Sequence, residues 1–115
     1  MLRQSAKRAP DVIGVAKALR AEAKYLKGKK HGIKWKDGPG TAKRTGTPQG
    51  QWGSKADLDF AGKKASTLES GKGDWFDFPD GHSSKVHLPN GSTVSANLFW
   101  VRNDGSGTFH GYPAE

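Results

Sequence analysis

His87 follows Lys85 at a spacing of two, and His110 stands midway between Thr108 and Tyr112. A strand sends alternate residues to one face, so each set would present its side chains together. Imidazoles titrate near neutrality, and two of them can serve as base and acid in one reaction. RNA is cleaved without a metal when a base removes the 2′-hydroxyl proton, an acid protonates the departing 5′-oxygen and a cation stabilises the phosphorane. The pattern predicts His87 and His110 for the proton transfers and Lys85, with Arg102, for the developing negative charge. Thr108, Ser95 and Tyr112 could donate to phosphate oxygens. The competing reading of the same residues is an ordinary solvated sheet face.

Other chemistries fit less well. His82 and His87 bracket four residues and invite a metal, and a metal-dependent DNase would add Asn97 and His110. Five residues apart on one strand the two imidazoles point to opposite faces, so joint ligation needs a turn at His82. The chain has no cysteine, which removes thiolate sites and disulfides. Gly38-Pro39-Gly40 lacks the lysine of a nucleotide-binding loop, and no Gly-x-Ser-x-Gly elbow is present. No cofactor and no metal are expected.

The elements that must position these groups are readable from periodicity. Residues 11–27 carry Val12, Val15, Ala16, Leu19, Ala23 and Leu26 at helical spacing, with Lys17, Arg20, Lys24 and Lys27 opposite. Residues 29–53 are rich in Gly, Lys and Thr and predict an extended basic loop, in which Trp35 and Trp52 either stack on bases or anchor the loop. Ser54 and Asp57 form a capping box that opens a second helix over residues 55–68. Beyond Gly73 the period becomes two. Strands are predicted over residues 75–78, 84–88, 92–102 and 108–112, separated by Pro79-Asp80-Gly81, Pro89-Asn90-Gly91 and Asn103-Asp104-Gly105. Parity assigns Val86, Leu88, Val94, Ala96, Leu98, Trp100 and Phe109 to the covered face and the candidate residues to the open one. The expected fold is α+β, with N-terminal helices on one face of a roughly four-stranded antiparallel sheet.

Charge points to the partner. The 115 residues carry a formal net charge of +8. Residues 1–55 hold 14 Lys and Arg against Asp11, Glu22 and Asp37, whereas residues 56–115 hold 5 against 8 acids. A one-sided basic surface recruits a phosphate backbone by counterion release and accelerates encounter with any acidic partner. Lys29, Lys30, Lys34, Lys36, Lys43 and Arg44, with Arg102, are the expected RNA contacts. No apolar run approaches a membrane span, so no membrane partner is expected. The chain is long enough for a single domain over residues 1–115, its first ten residues expected to be flexible.

The basic Gly/Lys-rich lead-in, the run Gly50-Gln51-Trp52-Gly53-Ser54-Lys55-Ala56-Asp57, and a strand meander ending Gly107-Thr108-Phe109-His110-Gly111-Tyr112-Pro113 resemble the toxin tip of a bacterial polymorphic toxin. Such tips occur on contact-dependent growth inhibition and Rhs-type proteins. The layout is similar to that of the barnase/EndoU/colicin/RelE-like ribonuclease superfamily. The resemblance implies a metal-independent endoribonuclease acting on RNA, with tRNA the expected substrate. It implies a sheet-borne site matching His87, His110, Lys85, Thr108 and Tyr112, and an acidic cognate immunity protein covering that site. It also implies delivery from a larger secreted or surface precursor into the cytoplasm of a target bacterium. No Glu stands in the strand region where barnase-like members place a base, a departure that favours a histidine-based branch. The alternative is a non-catalytic nucleic-acid-binding module.

Overall fold

The computed structural model describes the backbone of Lys24–Tyr25 and residues 30–115. Its regular elements are β1 (Lys24–Tyr25), α1 (Gly38–Thr45), β2 (Gln49–Gln51), α2 (Lys55–Ser66), β3 (Gly73–Asp77), β4 (Lys85–His87), β5 (Thr93–Ser95), β6 (Leu98–Asn103) and β7 (Thr108–Ala114). The protein is α+β. No helix among the described residues is long and apolar enough to cross a membrane.

Helix α2 forms where the sequence predicts one. Ser54 is its extended N-cap and accepts a hydrogen bond from the Asp57 amide at 3.1 Å. Only that half of the capping box forms. The Asp57 carboxylate is buried and turns away from Ser54 to accept from the Ser83 amide and the Ser84 hydroxyl, tying the helix start to the segment entering β4. The apolar face of α2, with Ala61 and Ala65 fully buried, packs with Trp52, Phe99, Val101 and Phe109 in the main core.

The strands make two sheets. A four-stranded sheet has the order β1-β7-β6-β3, its β1–β7 pair parallel and the others antiparallel; a three-stranded antiparallel sheet has the order β2-β4-β5. The strand expected over residues 92–102 is therefore broken. At Ala96 the backbone N–H still bonds to Ser84 beside the small sheet, and at Asn97 it bonds to Ala114 at the end of β7. Changing sheets shifts the parity, so Phe99 and Val101 fill the core while Leu98 and Trp100, expected there, lie on the other face and are half-buried. Val86, Ala96 and Phe109 are buried as parity predicts.

Two further expectations change, and one open alternative is resolved. Lys24–Tyr25, expected in the first helix, form a strand beside Thr108 and Phe109; the remainder of residues 11–27, like residues 1–10, lies outside the described residues. The basic loop of residues 29–53 contains α1 and β2. The Gly38-Pro39-Gly40 sequence reads as a turn, yet Pro is favoured in the first helical turn because its missing N–H has no partner there, and Gly46 ends the helix at φ +69°. Finally, Trp52 takes the anchoring role of its two readings. It is fully buried, and its indole N–H donates to the Gly111 carbonyl at 3.3 Å.

The sheets meet where β2 crosses β7. A methyl group on Gly50 would collide with the backbone of Pro113, so only glycine permits the approach. We expect Gly50→Ala to cost about 1–3 kcal/mol or more, since an added methyl here must push backbone aside. Denaturant unfolding measures it, and an unchanged midpoint would mean that the sheets do not abut at this point.

Candidate active site on the open sheet face

The four-stranded sheet has one face on the core and one open, and its register arranges the open face in rows. Trp75 of β3, Trp100 of β6 and Tyr112 of β7 lie directly across from one another; the neighbouring row is Gly73, Arg102 and His110. Trp75 and Tyr112 are exposed, and Trp100 and His110 half-buried. The rings touch in sequence. Trp75 meets Tyr112 edge-on at 6.0 Å between centroids, Tyr112 lies 5.9 Å from Trp100, and Trp100 lies 5.7 Å from His110. His31 joins the other side of Tyr112 at 5.6 Å.

His110 has a carboxylate partner that periodicity did not single out. The turn after β6 closes with the Asp104 amide bonded to the Thr108 carbonyl, which folds Asp104 back beside β7. Its Oδ1 lies 2.9 Å from His110 Nδ1. A carboxylate can only accept, so Nδ1 carries a proton, and in the neutral tautomer the lone pair lies on Nε2. Asp104 thereby sets the tautomer and orientation of the imidazole, as an orienting acid does for a histidine base. The other oxygen, Oδ2, is buried without a hydrogen-bond partner among the described residues. Arg102, exposed and directly opposite His110, supplies a fixed positive charge, and Thr108 shares the parity of His110 on the same strand.

His31 is a second imidazole that sequence reasoning passed over. It has the one positive φ (66°) outside glycine among the described residues, a conformation that histidine tolerates better than most residues. Its Nδ1 donates to the Gly50 carbonyl at 2.7 Å, and its ring meets Trp35 edge-on at 5.2 Å. A glycine follows it at position 32, but nothing local shows that the chain there delivers the ring to Tyr112.

His87 and Lys85 do not share this face. They lie on β4 in the small sheet, and α1 covers His87 so closely that a methyl on Gly38 would come 2.5 Å from its ring. Gln51 donates through Nε2 to the Ile33 carbonyl, which turns its Oε1 toward His87 Nε2 at 2.7 Å. That nitrogen must donate, and Nδ1 accepts from Thr93 at 3.1 Å. The ring is a satisfied, neutral, buried histidine. Burial, and then the charge of Lys85, hold its pKa below the ordinary value. Lys85 itself is exposed, in register with Gln51 and Ser95.

With both nitrogens engaged, His87 cannot ligate a metal jointly with His82, whose ring stacks on Phe78 at 4.3 Å. Among the described residues no three His, Asp or Glu side chains converge as a metal site. Of the expected RNA contacts, Lys29 lies outside the described residues, and Lys30, Lys34, Lys36, Lys43 and Arg44 are exposed. Arg44 is shared with Asp37, whose carboxyl it and Thr41 hold below the usual range by hydrogen bonding.

No family model, curated protein or solved structure matches this chain.

The buried histidine gives a pH prediction. A depressed folded-state pKa means that the unfolded chain binds the proton first. The stability contributed by neutral His87 is thus complete above its unfolded value of 6.5 and is lost as pH falls from there through the lowered folded value. Denaturant melts of the parent and His87→Gln between pH 8 and pH 5 should show the parent's advantage shrinking on acidification. An advantage independent of pH would contradict the neutral, desolvated ring.

Proposed function

We propose that this domain is a metal-independent endoribonuclease, of the kind carried as the toxin tip of bacterial polymorphic toxins. The observation that carries this reading is His110, oriented by Asp104 and set opposite Arg102 on an open face lined with aromatic rings. An imidazole held in one tautomer beside a fixed cation suits attack of a 2′-hydroxyl on the adjacent phosphate. One imidazole takes the O2′ proton as the O2′–P bond forms. An imidazolium gives a proton to O5′ as the P–O5′ bond breaks, and the products are a 2′,3′-cyclic phosphate and a 5′-hydroxyl. Arg102 balances the charge of the phosphorane. His110 is one member of the acid–base pair, and His31, whose ring abuts Tyr112 at the end of the aromatic row, is the candidate for the place that the sequence assigned to His87.

The basic character of residues 1–55 supports a polyanionic substrate, with tRNA the first to test. The acidic immunity protein and delivery into a competing cell belong to the same proposal and rest on the sequence layout. A non-catalytic nucleic-acid-binding module would use the same cations and rings, and it differs in leaving RNA intact.

Purified protein should cleave total tRNA in EDTA and leave 2′,3′-cyclic phosphate ends. His110→Ala should reduce the single-turnover rate by about 10²–10⁴, the usual worth of a positioned proton-transfer group, with RNA affinity little changed. Asp104→Asn should fall between the two, because the ring stays in place while its tautomer is no longer imposed. Intact RNA after long incubation, dependence on added divalent metal, or parental cleavage by a folded His110→Ala variant would each overturn the proposal.

A further inference from the structure

The two rows of the open face have different chemistry and a fixed separation. Two residues along a strand span about 6.7 Å, so the Trp75–Trp100–Tyr112 row lies that far from the Gly73–Arg102–His110 row. That is comparable to the reach from a nucleotide's phosphate across its ribose to the base. The row on the other side is Asp77, Leu98 and Ala114, with Asp77 exposed and negative. A phosphate is attracted at one border of the aromatic row and repelled at the other, so a nucleotide on this face has one favoured direction.

Glycine at position 73 shapes the junction. A methyl there would come 2.5 Å from Trp100 Cζ2, so the indole leans over Gly73 toward the cationic row and reaches the edge of His110. Trp75 remains 47% exposed and Tyr112 37%, with their rings nearly perpendicular at 87°. Large exposed rings beside an arginine form a platform on which any base can stack, because every base has a π-face.

We infer that this face seats an unpaired nucleotide, its base against Trp75, Trp100 and Tyr112 and its phosphate at Arg102 and His110, and therefore selects single-stranded RNA over duplex. Bases within a duplex are stacked on one another and cannot offer a face to these rings, whereas loop bases can be splayed out. The assignment of the phosphate rests on the ribonuclease reading; the stacking of the base requires no cleavage.

The test uses the whole protein and fluorescence anisotropy with an uncleavable 2′-O-methyl oligonucleotide, presented single-stranded, within a hairpin stem, or with abasic sites. The single strand should bind at least tenfold more tightly than either of the other two. Trp75→Ala should weaken single-strand binding about five- to 150-fold, the worth of one stacked base, and Trp75→Phe should retain most of the affinity. The exposure of Trp75 keeps the variants foldable, which thermal melts verify. Equal affinity for strand and stem, or an unchanged affinity in Trp75→Ala, would overturn the inference and assign the row to a protein partner. If the oligonucleotide behaves as expected while natural RNA stays uncut, the platform stands and the ribonuclease fails. If RNA is cut in EDTA at a rate indifferent to Trp75, the platform alone falls.

Discussion

Everything in this fold depends on the close crossing of β2 over β7 and on the indole that follows it. Gly50 lets the two backbones meet, and two residues later Trp52 enters the main core, its N–H bonded to the Gly111 carbonyl. The Trp52 amide bonds to the His31 carbonyl, and the Gly50 carbonyl accepts from the His31 ring. The same few residues thus join the sheets, centre the core and hold His31 against Tyr112. In a chain without disulfides, much of the cohesion comes from aromatic contacts around Phe99, which meets Trp52, Phe60, Phe76 and Phe78 at centroid distances of 4.8–5.9 Å. Such pairs contribute about 0.5–1.5 kcal/mol each beyond the area they bury.

The histidines show how environment divides one residue type into different roles. His87 is enclosed by Gln51, Thr93 and α1, where each nitrogen has a neutral partner and a charge would be desolvated. His110 has an acidic partner on one nitrogen and sits on an accessible face beside a guanidinium. Burial with neutral partners disfavours the charged ring, whereas a carboxylate at one nitrogen fixes which nitrogen carries the proton and leaves the other facing outward.

Much of this was legible in the residues. Ser54 announced α2, and Trp75, Lys85 with His87, and Thr108 with His110 marked strands that exist. The sheet exchange at Ala96–Asn97 was not, because β6 is apolar on both faces: Leu98, Phe99, Trp100 and Val101 give no alternation from which a parity change could be read. Helix α1 was concealed by glycines that usually signal a turn. Asp104 and His31 reach the site through a tight turn and a left-handed residue, and both are tertiary outcomes that single-sequence periodicity does not encode. The separation of His87 from His110 follows from the same missed exchange, since one continuous meander would have placed them together.

The parallel pair at the edge of the larger sheet has a kinetic consequence. β1 hydrogen-bonds to β7, with Lys24 beside Thr108, although nearly the whole described chain lies between them. Hairpins such as β4–β5 and β6–β7 close short loops and can form early, but among the described residues the β1–β7 ladder closes the longest loop, with its entropy lost for two described residue pairs. Zipping up that edge is the natural last event of folding, and it is also the first place where the native sheet would open.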